Sequence, residues 1–254
     1  MSAPDDPPGF FAGFLMAAAF FTRLPVAAER RGAWRLADSA WAFPLVGAGV
    51  GLVAASALLL AQLIGLGSWP AALLAVSAGL ALTGALHEDG LADTADGFVG
   101  GRDRATKLAI MRDSRHGTFG VLAIVVSVLL RAGSIAAIGD VLYAGGALIA
   151  AHAASRAALP GALWGLPPAR SEGVGAAAGT PGAPGVIAAA VIGAAIALAA
   201  LGPMRGLIAL CLLGVTVFAA AGVARRQIGG YTGDVLGALQ QLGEIVMLLA
   251  ASAR

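Results

Sequence analysis

Polar and apolar positions along this chain segregate into long blocks rather than alternating. Charge-free apolar runs occur at Trp41–Gly67, Pro70–Leu86, Thr118–Gly139, Val141–Leu163, Gly185–Gly202, Gly206–Ala224 and Val235–Ala253. Most approach the roughly 20 residues a helix needs to cross the hydrocarbon of a bilayer. Helix is the predicted state of each, because an open strand would leave backbone N–H and C=O groups unpaired in lipid. Many of the runs are rich in Gly and Ala, which lets helix backbones approach closely in a compact bundle. A further run, Phe10–Thr22, is short for a span and reads as re-entrant, interfacial or a thinned crossing.

The expected fold is therefore an all-α polytopic integral membrane bundle. It has about seven transmembrane helices plus a short N-terminal apolar segment, in a single membrane-embedded catalytic domain over residues 1–254. Composition agrees: 59% of the 254 residues are hydrophobic and only 12% charged, against about 25% charged in a soluble domain. Mean hydropathy is +0.86. Cys211 is the only cysteine, so no intramolecular disulfide forms. Residues Met1–Gly9 carry Asp5 and Asp6 and lack the positive start of a secretory signal, so the chain is read as unprocessed.

Threading the seven runs alternately through a bilayer collects two sets of loops. One holds Arg23–Ser39, His87–Gly117, Trp164–Pro184 and Arg225–Thr232; the other holds only short turns and the C-terminus. Counting Arg156 with the first set by snorkelling, 13 of the 16 Lys and Arg residues lie there, including Arg30 and Arg31. Arg205 and Arg254 lie opposite, and Arg131 is inside a run. The positive-inside rule assigns the crowded face to the cytoplasm. The Gly/Pro-rich stretch Gly173–Gly185 reads as a solvated linker.

The densest polar segment runs from His87 to Gly120. Asp89, Asp93 and Asp96 stand at i, i+4 and i+7, on one face of a helix. Like charges at this spacing destabilise a helix, so a cation among them is expected. Oxygen ligands suit a hard ion, Mg²⁺ first. Gly90 and Gly97 each follow an Asp and allow close backbone approach. The segment MRDSRHGTFG adds Asp113 with Arg112, Arg115 and His116, and Lys107 precedes it. Carboxylates that hold a metal beside guanidinium groups that clamp phosphate oxygens suit attack on a diphosphate. On the same face, GGYTGDVLG offers Gly229, Gly230 and Gly233 as an anion-binding backbone turn, with Thr232 and Asp234. Inside the runs, Arg131, His152 and Glu244 are site candidates by default. Arg131 either pairs with Glu244 or snorkels. His87 and Glu88 either assist the acidic cluster or form a helix-end pair.

Three stretches, HEDGLADTADG (His87–Gly97), MRDSRHGTFG (Met111–Gly120) and GGYTGDVLG (Gly229–Gly237), closely resemble the adenosylcobinamide-GDP ribazoletransferase (cobalamin synthase) family. FFTRLPV (Phe20–Val26) and FPLVGAGVG (Phe43–Gly51) extend the likeness in the same order. The resemblance implies an Mg²⁺-dependent enzyme of the bacterial inner membrane. It would join adenosylcobinamide-GDP to α-ribazole or its 5′-phosphate, release GMP, and so complete the cobalamin nucleotide loop. Substrates and the lipid bilayer are then its partners. No nucleic acid is expected, and a homo-oligomer is left open. Carried onto this chain, Asp89, Asp93, Asp96, Asp113 and Asp234 are the expected metal ligands. Arg112, Arg115, Lys107, Gly230, Thr232 and Gly233 are the expected substrate contacts, and His87, Asp89, Asp93 and Asp113 the expected catalytic groups. Family members resembling this chain tend to carry glutamate at two places after the GD turn; Glu244 matches the second, while Gln241, which supplies no negative charge, stands at the first. A CDP-alcohol phosphotransferase is the second reading, but DGLADTADG lacks that family's Ala-Arg pair after its first DG. A cation-coupled transporter ranks lower, because the carboxylates gather at a loop face and not at the bilayer midplane.

Overall fold

The apolar runs do become helices, and their lipid-facing sides show which way they turn. The computed structural model describes residues 9–26, 35–113, 115 and 117–253. In chain order the helices are α1 (Phe10–Phe21), α2 (Phe43–Leu63, entered through a 3₁₀ segment Leu36–Ala42), α3 (Ser68–Thr83), α4 (Leu86–Gly100), α5 (Arg104–Ile110), α6 (Thr118–Ile138), α7 (Val141–Ala157), α8 (Leu159–Gly165), α9 (Val174–Ala177), α10 (Ala183–Leu201), α11 (Pro203–Ile228) and α12 (Gly233–Ser252). Large apolar side chains such as Leu60, Val126, Val191 and Phe218 point outward. The interior holds small residues and, unlike a soluble core, ionisable ones: Glu88, Arg131, His152, Arg156 and Glu244 are all buried. In lipid this is the economical arrangement, since tails solvate Leu and Phe but not a carboxylate.

Among the described residues, five helical segments are long and apolar enough to cross a membrane, and a sixth is added if the bent pair α3 and α4 is counted as one span. The seven expected spans are thus not all matched on length. α3 has 16 residues and α7 has 17. α7 is enclosed by α2, α10 and α12 and is buried along most of its length, so protein and not lipid is its solvent. α1, with 12 residues, rises about 18 Å, too little to span. It packs against the 3₁₀ segment and α2, with Phe10 stacked on Trp41 and Phe21 edge-on to Phe43.

The expected run Pro70–Leu86 breaks at Gly84 and Ala85, both in the left-handed region with φ of 64° and 55°. The chain there turns by 92°, and α4 leaves across the axis of α3. Loops at this end are laced together. Arg23 N–H donates to the Leu82 carbonyl, Ala37 N–H to that of Ala178, and Tyr231 N–H to that of Pro167. Arg104 donates to the carbonyls of Ile228 and Ala169, closing the exposed C-terminal end of α11. The four segments that charge patterning grouped on one face are therefore joined at one end of the bundle. Arg30, Arg31, His116 and Arg254 lie outside the described residues.

Candidate functional site

Two glycines bring the acidic stretch and the GD turn together. A Cβ on Gly90 would lie 2.7 Å from the Asp234 carbonyl oxygen and 3.2 Å from the Gly237 Cα; one on Gly237 would lie 3.1 Å from the His87 carbonyl oxygen. Backbones can meet this closely only without side chains. The α4–α12 crossing so formed sets Asp89 and Asp234 on the rim of a cavity of about 200 Å³. Phe20, Phe21, Phe43, His87, Leu159, Leu163, Ala178 and Leu236 line its walls. A second cavity, about 240 Å³, adjoins it and is lined by Arg112, Arg170, Glu172, Tyr231, Thr232 and backbone of the 173–176 segment. The two share Val174, Gly175, Gly233 and Asp234.

Several expected site residues thus converge: His87, Asp89, Arg112, Thr232, Gly233 and Asp234. His87 is buried with its ring stacked on Phe21 at 5.6 Å. Asp89 is exposed, and Asp93, one turn on, is half-buried. Asp234 accepts hydrogen bonds from Arg170 Nη2 at 2.6 Å and Thr232 Oγ1 at 3.1 Å. The Thr232 hydroxyl also accepts from Val235 N–H and so caps α12.

Other expected residues have different tasks. Asp96 is buried, and its two oxygens accept from the backbone N–H groups of Gly117 (2.6 Å) and Gly120 (2.9 Å). Its carboxylate sits at the N-terminus of α6, where orphan donors and the helix dipole favour such a group. Gly117 and Gly120 are glycines because the Asp96 carboxylate occupies the space a Cβ would need. Lys107 donates to Gln227, docking α5 on α11. Asp113 is engaged by Arg115, which bonds it through Nε (3.1 Å) and Nη2 (2.7 Å). This exposed pair holds the Asp113 carboxyl down at about 2, through hydrogen bonds and charge from Arg115. Gly230 lies against the Pro167 carbonyl, which a side chain would strike.

Sequence reading missed Arg170 and Glu172, and took Gly173–Gly185 for a linker. That stretch instead carries α9 and walls both cavities. A Cβ on Gly175 would lie 2.7 Å from the Gly233 nitrogen; composition alone cannot distinguish glycine used for packing from glycine used for slack. The only available signal was Arg170 and Glu172 themselves, two charges at the edge of a Gly/Pro block.

Behind the site, Arg131 Nη1 lies 2.9 Å from Glu88 Oε1 and 3.0 Å from Glu244 Oε1. His152 Nδ1 is 3.0 Å from Glu244 Oε2, which also accepts from Gln240. Gln241 donates to Glu88 and accepts from Ser127. Gln241 and Glu244 are thus interior links between α12, α4 and α6.

As for a metal, no three His, Cys, Asp or Glu side chains among the described residues form a group that would hold an ion. Mg²⁺ asks less of a protein: one or two carboxylates, with substrate phosphates and water completing the shell. Asp89, which lines the apolar cavity, and Asp93, one turn on along the same face of α4, fit that smaller demand with hard oxygen donors. No three of the expected carboxylates are gathered around one centre among the described residues.

A family model for cobalamin-5-phosphate synthase matches residues 13–252. The adenosylcobinamide-GDP ribazoletransferase of Bradyrhizobium diazoefficiens is 47% identical over 243 residues, covering 95% of this chain and 94% of its own. The enzyme of the same name from Mesorhizobium japonicum is 48% identical, over 92% and 90% of the two chains. That of Azorhizobium caulinodans is 46% identical over 91% of each. No solved structure matches. The stretches that meet at the two cavities are those whose resemblance was noted from sequence, and with likeness over nearly the whole length the chain belongs to the cobalamin-5-phosphate synthase family.

Proposed function

We propose that this enzyme joins adenosylcobinamide-GDP to α-ribazole, or its 5′-phosphate, and releases GMP, with Mg²⁺, at the cytoplasmic face of a bacterial inner membrane. The observation that carries this reading is the meeting of three distant stretches at one pair of cavities: Asp89 and Gly90 from the first, Arg112 from the second, Gly233 and Asp234 from the third. The names of the relatives supply the substrates.

In the reaction, a ribose hydroxyl oxygen forms a bond to the corrinoid-side phosphorus. The phosphoanhydride bond breaks, and GMP leaves with the electron pair. Asp89 and Asp93 would hold Mg²⁺, which when bound neutralises diphosphate charge and eases departure of GMP. Arg112 and Arg170, in the polar cavity, hold phosphate oxygens; Arg170 takes the role sequence had given Lys107. Asp234, itself hydrogen-bonded by Thr232, fixes Arg170 in place. The hydroxyl proton goes to Asp89 or His87; the third titratable group lining the apolar cavity, Asp234, is occupied by Arg170. Arginines crowd this end of the bundle, which supports a cytoplasmic site.

Asp89→Asn and Asp93→Asn in liposome-embedded protein test the reading. Both variants should insert and fold as the parent does, yet lose Mg²⁺-dependent GMP release by on the order of 10²-fold or more. Full activity in either removes that residue from the metal site, and full activity in both overturns the assignment.

A further inference from the structure

The two adjoining cavities are chemically unlike. The polar one presents Arg112, Arg170, Glu172, Tyr231 and Thr232, suited to phosphates. The other is walled largely by apolar side chains, Phe20, Phe21, Phe43, Leu163 and Ala178 among them; its polar side chains are the buried His87, whose Nε2 has no partner, and Asp89 and Asp234. At about 200 Å³ it is smaller than the roughly 300–1,000 Å³ of pockets for whole drug-sized ligands. It has room for one flat ring system and not for a corrin macrocycle. Guanine, with donors and acceptors around most of its edge, would find only His87, Asp89 and Asp234 as polar side-chain partners and would leave the rest of that edge against Phe and Leu at a cost. A bicyclic base with an apolar edge loses nothing there and gains aromatic contact.

Resting on the reaction proposed above, we infer that the apolar cavity is the pocket for the aromatic base of the incoming nucleoside, and that its walls decide which bases are accepted. A base seated in it brings its ribose to the rim. There the hydroxyl that attacks meets Asp89, and the diphosphate in the second cavity lies alongside across Gly233 and Asp234. One molecule thus enters each cavity, and the shared wall of Val174, Gly175, Gly233 and Asp234 is where they react.

The test is the base preference of GMP release in liposomes, measured with α-ribazole, whose base carries two methyl groups, and with the α-riboside of unsubstituted benzimidazole. Ala178→Leu narrows the cavity and should lower kcat/KM for α-ribazole by about 10–200-fold relative to the unsubstituted riboside. Leu163→Ala widens it and should erode the parent's preference between the two; this variant decides the matter if Ala178→Leu does not fold. KM for adenosylcobinamide-GDP should stay near the parental value in both. Equal losses for the two ribosides, or a change confined to adenosylcobinamide-GDP, would overturn the pocket while leaving the reaction standing. Parent protein that releases no GMP with either riboside would overturn both.

Discussion

Asp89, Asp96 and Asp113 are one amino acid in three surroundings, and the surroundings decide the task. Asp89 sits at a cavity rim; Asp96 accepts two backbone N–H groups at the start of α6; Asp113 is clamped by Arg115. A carboxyl lowered in the folded protein contributes stability above its ordinary range and loses it as pH falls through the lowered value. For Asp113 that value is about 2, so the group stays ionised wherever the enzyme works. Asp113→Asn should therefore leave the shape of the pH–rate profile unchanged between about pH 5 and 9. A displaced acid limb in that variant would show that Asp113 titrates in turnover. Spacing put the first three aspartates on one face, and that is where they lie. Spacing could not show that Asp96 faces another helix's N-terminus, because the donors belong to Gly117 and Gly120, more than twenty residues away.

At the scale of elements, the α4–α12 crossing positions the site, and two devices hold it. Gly90 and Gly237 let the backbones touch, and the buried Glu88–Arg131–Glu244 cluster ties both helices to α6. Arg131→Met would remove the guanidinium that bridges Glu88 and Glu244, leaving the two buried carboxylates with only His152 and Arg156 as nearby cationic or ionisable partners. Removing one partner of a buried ionic cluster costs about 3–5 kcal/mol, so this variant should unfold at markedly lower temperature or denaturant in detergent. An Arg131→Met protein as stable as the parent would mean the cluster does not hold the helices. Sequence flagged Arg131 and Glu244 because ionisable residues in apolar runs are rare. It left their pairing open, and did not place Glu88 inside, because the break at Gly84 and Ala85 that turns α4 by 92° follows from two left-handed residues that composition does not announce.

Across the whole molecule, apolar blocks were legible because lipid imposes helix on them, and the charge asymmetry was legible because it needs only counting. What stayed hidden was depth: α7 is sheathed by protein, and the 173–185 stretch is cavity wall, since both depend on contacts between segments far apart in the chain. The account rests on the motifs sharing one end of the bundle. Single cysteines at Val99 and Glu172, and at Leu142 and Met204, in a Cys211→Ser background, all lie at exposed positions. Labelled in sealed inverted vesicles with a membrane-impermeant maleimide, Val99→Cys and Glu172→Cys should react from the outside, with Glu172→Cys protected by adenosylcobinamide-GDP, whereas Leu142→Cys and Met204→Cys should react only after the vesicles are opened. Labelling of Val99→Cys and Glu172→Cys from opposite sides would contradict a shared catalytic pocket.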